Sequence, residues 1–302
     1  MRICSFLPSA TEILYAVGLG EAVVGVSYAC DFPPEARQKP VVVRTRLEPT
    51  ADGAAMDGQV SEFVARGQSL YQVDLETLAQ LAPDLILTQD LCQVCAASPG
   101  DLAEALTHLP RPPRVLSLTP NTLADVFNDI RRVGEAAGRT AAAAQLAAKL
   151  EASVAEVQKL VTHVPDRPRV LCLEWLSPPY VGGHWVPQMV ERAGGTDVLG
   201  QAGVPSRRVA WEEVLAGRPD VIVVIPCGYD LAETLAEMRR TELPADWEGL
   251  PAVRAGRVFA ADANSYFSRP GPRLVTGLRL LAWMFHPQLA AFALPAGCAT
   301  RV

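Results

Sequence analysis

Two stretches of the chain read alike. ETLAQLAPDLILTQDLC (76–92) and EEVLAGRPDVIVVIPCG (212–228) each run from a short amphipathic helix through Pro-Asp and an apolar run to a cysteine-bearing loop. The proline disfavours helix for the residue before it, so the helix must stop there. The run that follows is short and rich in Leu, Ile and Val, the pattern of a strand covered on both faces. A helix–Pro-Asp–strand block of this kind belongs in a parallel α/β sheet, and two copies imply two such sheets. The copies extend further. Arg169–Leu173 (RVLCL) parallels Arg2–Ser5 (RICS), which sets Cys172 opposite Cys4, and AGGTDVLG (193–200) parallels VGLGEAVVG (17–25).

The rest of the chain fits this frame. Arg2 to Leu7 predicts a strand, and Ser9-Ala-Thr-Glu12 after Pro8 predicts a capping box for a helix ending near Gly18 and Gly20. VVGVS (23–27) predicts a second strand, 53–66 a weakly periodic helix, Leu75 to Leu81 a short helix, and Asp84 to Thr88 a buried strand. Thr119-Pro120 opens a long helical pattern in which Leu123, Val126, Phe127, Ile130, Val133 and Ala137 share one face. Gly138 weakens the pattern; Leu146, Leu150, Val154, Val157 and Val161 resume it. With α/β segments on both sides, it reads as a stiff connector rather than a coiled coil. The expectation is an α/β protein with two Rossmann-like lobes, parallel-sheeted, at 1–118 and 164–302, joined by one long helix over 119–163.

A chain of 302 residues that is 49% hydrophobic can bury a core in each lobe. Its net charge of −6 and pI near 5.3 argue against a nucleic-acid partner. No run reaches 18 apolar residues, so no membrane insertion is expected. Ser5, Pro8, Ser9, Thr11 and Glu12 interrupt the N-terminal apolar stretch, which therefore lacks the look of a secretory leader. Seven cysteines (4, 30, 92, 95, 172, 227 and 298) are an odd set, expected as thiols or ligands. Together these predict a cytoplasmic location, or an extracytoplasmic one if a leader has been removed.

LPSATEILYAVGLGEAVVGVSYACDFP (7–33), the two Pro-Asp blocks, the long helical stretch, SPPYVGGHWVPQMVERAGG (177–195) and YFSRPGPR (266–273) occur in an order that resembles the helical-backbone substrate-binding proteins, most closely their cobalamin-binding branch. The resemblance covers nearly the whole chain. It implies two lobes with the ligand in the cleft that separates them, a corrinoid (cobalamin-like) or a related tetrapyrrole or metal chelate as that ligand, and an ABC transporter as possible partner. The acidic residues that dock such proteins to a transporter cannot be assigned here. Ligands of open parallel sheets sit beyond the carboxyl ends of the strands. The expected ligand-binding residues on those loops are Pro8, Ser9, Tyr28, Phe32, Gln89, Asp90, Glu174, Trp175, Tyr180, His184, Trp185, Tyr229, Tyr266, Phe267 and Arg269. The aromatics suit a large flat ring with amide edges, and the resemblance places Tyr266 as a clamp on that ring, with Tyr28 and Phe32 on the facing lobe. Aromatic packing between lobes would produce the same composition. Glu174, following a strand directly, needs a partner, for which Arg269 is a candidate.

Cys92 and Cys95 stand in a single Cys-x-x-Cys with no second pair, half of a tetrahedral zinc shell. They could ligate metal with His184, and with Cys30, Cys227 or Glu174; form a redox pair; or line the pocket as buried thiols, which is the preferred reading. His184, in Gly182-Gly183-His184-Trp185, could instead make a capping or interlobe hydrogen bond. His108, His163 and His286 read as structural, and Trp283 as core. The chain has no nucleophile elbow, Walker loop, Gly-x-Gly-x-x-Gly or zincin helix. A binding protein without a catalytic cofactor is therefore expected. The alternatives are a thiol- or metal-dependent enzyme using Cys92, Cys95, His184 and Glu174, or a transition-metal carrier.

Overall fold

The computed structural model describes residues 1–50, 52–89, 106, 111–289 and 294–302. Asp90, Cys92, Cys95 and His108 lie outside the described residues. The chain divides into two compact units. The first comprises Met1–Pro49, Gly58–Pro120 and Ala124–Lys149; the second comprises Thr50–Asp57, Asn121–Leu123 and Leu150–Val302.

The first unit is built on a six-stranded sheet of β1 (Ile3–Ser5), β2 (Val23–Ser27), β3 (Val41–Thr45), β4 (Tyr71–Val73), β5 (Leu85–Gln89) and β6 (Arg114–Leu118), in the order β4-β3-β2-β1-β5-β6. All neighbours are parallel except β4, which runs antiparallel to β3 at the edge. Central strands β1 and β5 are buried throughout. Helices α1 (Pro8–Ala16), α2 (Gly53–Ala65) and α3 (Leu75–Leu81) follow β1, β3 and β4, although the first turn of α2 belongs to the second unit. Cys4, Phe6, Val42, Leu70, Leu78 and Ile86 form the core on one face. α1 starts two residues earlier than the expected capping box, with Ser9 as its N-cap, requires. Its N-cap is Leu7, no side chain caps it, and Pro8 takes the first turn, where a missing N–H costs nothing. Ser9 and Glu12 are buried within the helix.

Two further helices, α4 (Leu123–Ala136) and α5 (Thr140–Val161), occupy the stretch expected to be one long helix. The interruption is at Gly138, whose φ of +70° is the left-handed region that ends helices. Gly138 N–H donates to Glu135 O (3.3 Å) and Arg139 N–H to Gly134 O (2.6 Å), which closes α4. At Gly134 a side chain would strike Ala143 of the next helix, so a second glycine admits the close return. The boundary between the units falls inside α5, after Lys149.

The second unit has strands β7 (Arg169–Leu176), β8 (Pro179–Val181), β9 (Thr196–Asp197), β10 (Arg207–Arg208), β11 (Val221–Val224), β12 (Val258–Ala261) and β13 (Ala299–Arg301). The order is β10-β8-β7-β11-β12-β13, with β9 also pairing with β7. The centre is parallel (β7, β11, β12); β8 runs antiparallel to β7, and the two edges, β10 against β8 and β13 against β12, are also antiparallel pairings. Helices α6 (Val186–Arg192), α7 (Trp211–Gly217), α8 (Leu231–Arg240), α9 (Pro251–Arg254), α10 (Ala263–Tyr266) and α11 (Leu274–Phe285) complete it. Leu171, Leu173, Val214, Ile222, Val224 and Trp247 lie in its core.

The repeat seen in the sequence is a repeat of bonds. In the first unit, Arg2 N–H donates to Asp84 Oδ2 (2.8 Å) while Asp84 N–H donates to Arg2 O (2.8 Å). In the second, Arg169 N–H donates to Asp220 Oδ2 (2.9 Å) and Asp220 N–H to Arg169 O (2.7 Å). Each arginine also donates to the last residue of the helix that runs into Pro-Asp, Arg2 Nε to Leu81 O (2.6 Å) and Arg169 Nη2 to Gly217 O (2.7 Å). Both helices end in a left-handed residue, Ala82 (φ 40°) and Arg218 (φ 41°). The Pro-Asp pair thus latches the start of one central strand to the start of its neighbour. The two cysteines do not coincide in this frame: Cys4 lies beside Ile86, but the place that matches it in the second sheet is Leu171 beside Ile222, and Cys172, beside Val223, is one residue further on and so on the other face.

Candidate ligand-binding site

In the first unit, the loops at the carboxyl ends of β1, β2 and β5 carry the expected residues. Pro8 is partly buried at the start of α1, and Ser9 is buried beside it. Beneath them runs a short hydroxyl chain. Thr11 Oγ1 lies 2.8 Å from Ser5 Oγ and donates toward Cys30 Sγ at 3.1 Å, and Ser5 Oγ donates to Leu7 O (3.0 Å). This ties the loop after β2 down at Cys30, whose thiol is buried. Tyr28 N–H donates to Val43 O (2.9 Å), which continues the ladder by one residue. Tyr28 and Phe32 then stand 47% and 42% exposed on a backbone held from below. Two large aromatic rings this exposed on one loop form an apolar surface of the kind that a ligand covers. Gln89 ends β5; it is only 4% exposed, and its Nε2 has no hydrogen-bond partner among the described residues.

In the second unit, two groups of expected residues come together. The first is at the end of β7. Trp175 meets Tyr229 edge to face, with ring centroids 5.2 Å apart, and its indole N–H donates to Gly53 O (3.2 Å). Tyr180, on β8 and paired across to Trp175, points its hydroxyl at Asp57 Oδ1 (3.5 Å). Tyr229 Oη is buried with no hydrogen-bond partner among the described residues, and its phenol is pushed up to about 12, first by burial and then by Glu237 and Glu233. The second group is internal. Trp185 and Phe267 are 5% and 2% exposed, joined by a bond from Trp185 Nε1 to Phe267 O (2.8 Å). They support the loops that bear Tyr266 and His184 instead of presenting their own rings. Tyr266 is partly buried, with Arg273 over its ring at 5.9 Å. Its carbonyl lies where a side chain on Gly277 would stand, so α11 can approach only as glycine.

Glu174 is the most perturbed acid of the site. Gly183 N–H donates to its Oε1 (3.2 Å), and the Ser206 side chain is its other partner. Burial raises its pKa to about 8, and Cys227 adds to the rise, as does Asp197 to a lesser extent; its two hydrogen bonds oppose it. The carboxyl is therefore largely protonated at neutral pH. The expected partnership with Arg269 is not formed, because Arg269 sits on the loop after α10 and its Nη2 donates to Asn264 Oδ1 (2.8 Å). Gly183 has no room for a Cβ against Ser206 N, so Glu174 clamps two chain segments already in backbone contact. They are joined again by His184 N–H to Val204 O (2.6 Å) and Gly203 N–H to His184 O (2.9 Å). His184 adopts φ 48°, stacks on Trp185 and buries Nδ1 with no hydrogen-bond partner among the described residues. Burial lowers its pKa, so the imidazole is neutral at neutral pH.

Among the described residues, no group of three or more His, Cys, Asp or Glu side chains is arranged to hold a metal ion. The thiol of Cys30 is buried and that of Cys227 exposed. Residues Gly53, Asp57, Thr11 and Ser206 shape the site but carry no sequence signal of doing so; each acts through a partner distant in the chain.

A family model described as periplasmic binding protein matches residues 3–265. The Vitamin B12-binding protein of Vibrio parahaemolyticus is 24% identical over 287 residues, covering 92% of this chain and 86% of that protein. An ABC transporter substrate-binding lipoprotein of Bacillus subtilis, YvrC, is 26% identical over 299 residues, covering 95% of this chain and 80% of that protein. Among solved structures, the periplasmic heme-binding protein RhuT from Roseiflexus in apo form superposes with a TM-score of 0.70 at 25% identity, covering 95% of this chain and 98% of that one. These similar proteins are named for binding, not for catalysis. They overturn the expectation of a cytoplasmic protein, since the family and its members are described as periplasmic or as lipoproteins and so point outside the cytoplasm. The cysteine count and N-terminal composition behind that expectation do not report a compartment. No helix of the described residues is long and apolar enough to cross a membrane. The match over most of the chain, the two α/β units and the loops at their strand ends agree: this is a binding protein, and it belongs to the periplasmic binding protein family.

Proposed function

We propose that the chain captures a corrinoid of the cobalamin type, or a closely related planar tetrapyrrole, as the solute-binding component of an ABC transporter. The observation that carries this reading is the pair of exposed rings, Tyr28 and Phe32, held on a fastened loop at the end of β2. Such rings are suited to lie against a large flat macrocycle. The second unit offers Trp175, Tyr180, Tyr229 and Tyr266 at the corresponding strand ends, with Trp185 and Phe267 supporting from inside. Its polar groups there, a protonated Glu174 and a neutral His184, suit the amide edges of a corrinoid better than an ionic ligand. The vitamin B12-binding relative supports the corrinoid, and the heme-binding neighbour supports the wider tetrapyrrole class.

Titration with cyanocobalamin and with haemin, followed by tryptophan quenching and the visible bands of the ligand, tests the reading. Saturable binding of cyanocobalamin is expected. Tyr28→Ala and Tyr266→Ala should each weaken it by about 1–3 kcal/mol, roughly one to two decades in affinity. Binding of haemin alone would move the ligand to the haem end of the class. Unchanged affinity in both variants would remove the aromatic loops from the site.

A further inference from the structure

The segment Thr50–Asp57 packs with the second unit, although the chain on either side of it packs with the first. Its centre is Gly53, buried, the first residue of α2. The Gly53 carbonyl accepts the Trp175 indole N–H at 3.2 Å. The space a Cβ would fill at Gly53 is already taken by Glu237 Oε1, and that buried carboxylate is paired with Arg240 at 3.1 Å. One turn on, Asp57 Oδ1 faces the Tyr180 hydroxyl at 3.5 Å. Asp52 fixes the start of the helix by accepting from Ala54 N–H (2.9 Å).

An indole at a strand end has a broad second torsion, and apolar contact alone leaves its tilt loose. Here the tilt is set at two places, by the edge contact with Tyr229 and by a hydrogen bond to the Gly53 carbonyl, beside which the Glu237 carboxylate fills the space that a Cβ would need. We propose that residues 50–57 are a positioning strap: Gly53, acting through Trp175, and Asp57, acting more weakly through Tyr180, fix the angle at which this aromatic wall meets the ligand. The inference rests on the ligand reading above.

The five tryptophans give five indole N–H cross-peaks in a ¹⁵N–¹H spectrum of the whole chain, and Trp175→Phe assigns that of Trp175 by its loss. In Gly53→Ala, the Trp175 peak should shift and exchange faster with water while the other four stay. Affinity for cyanocobalamin, or for haemin if the wild type binds only that, should fall about tenfold, the scale of one lost hydrogen bond. Gly53→Ala/Glu237→Ala, which removes the colliding carboxylate, should restore both readouts. Asp57→Ala should weaken binding about twofold, as expected for a bond at the limit of hydrogen-bond distance, and leave the Trp175 peak in place. An unmoved Trp175 peak in Gly53→Ala overturns the strap. So does a moved peak with unchanged affinity, or with tighter binding, which would mean that the segment competes with the ligand. Should Gly53→Ala unfold, unchanged affinity in Asp57→Ala overturns the proposal. A wild type that binds neither ligand refutes the function reading, and the indole peak then decides the strap by itself.

Discussion

Glu174→Gln isolates the energetics of the second unit. The carboxyl is enclosed at the end of β7, accepts from Gly183 N–H at 3.2 Å, and faces Cys227 and Asp197, both of which disfavour its charge. Its folded pKa is about 8 against an ordinary 4.5. The folded state therefore holds a proton that the unfolded chain releases. Stability is fully present below about pH 4.5, declines as pH rises, and is flat again above about 8. At about 1.4 kcal/mol per pH unit, the interval from 4.5 to 8 sets a ceiling of about 5 kcal/mol. Local relaxation and water entry reduce this to about 2–3 kcal/mol. Glutamine keeps the shape and the acceptor for Gly183 but never ionises. The variant should match the wild type near pH 5 and exceed it by about 2–3 kcal/mol near pH 9. Urea unfolding followed by tryptophan fluorescence reads this directly, because all five tryptophans lie in the second unit. Parallel pH profiles for the two proteins, or a variant less stable at every pH, would refute the assignment of a neutral buried carboxyl.

Further outcomes follow from the first unit and from the break between α4 and α5. Thr11→Val removes the hydroxyl that links Ser5 to Cys30, and should lower stability by about 1 kcal/mol in denaturant melts while raising the accessibility of Cys30 to thiol reagents. No change in Cys30 labelling would show that the loop is held by other means. Gly138→Ala forces a side chain into φ +70° and should cost about 1 kcal/mol or more by thermal unfolding; a stabilised protein would mean that α4 and α5 can join into one helix.

The Pro-Asp blocks were legible because their chemistry is local. Proline ends the helix, and aspartate offers an acceptor one residue before the strand, so the same three residue types, Arg, Pro and Asp, build the same latch twice. The strand ends were legible as loops for the same reason. The break at Gly138 was not, because the apolar stripe carries on through it. Ala136 and Ala137 are buried on one side, Ala143 and Ala147 on the other, and a pattern count sees only an imperfect helix. Within the candidate site, residue type could not distinguish Tyr28, on the surface, from Trp185 and Phe267, in the interior. Nor could it supply the partners of Glu174, which are a backbone amide and a serine 32 positions away by numbering (206 − 174). Least legible was the membership of residues 50–57 in the second unit, which depends on the missing side chain of Gly53 and on Glu237 far along the chain.

The duplicated latch also bears on how the chain finds its fold. In the first unit it closes a loop of 82 residues, and in the second one of 51. For a flexible chain, the entropy of closure grows only with the logarithm of loop length, so the longer loop is disfavoured by about 0.4 kcal/mol, roughly a factor of two in the probability of encounter. The strands inserted into the first loop, β3 and β4, therefore add a sheet edge with little delay to the meeting of β1 and β5. Two halves of unequal length can pair their central strands on nearly the same timescale, each from its own arginine and aspartate.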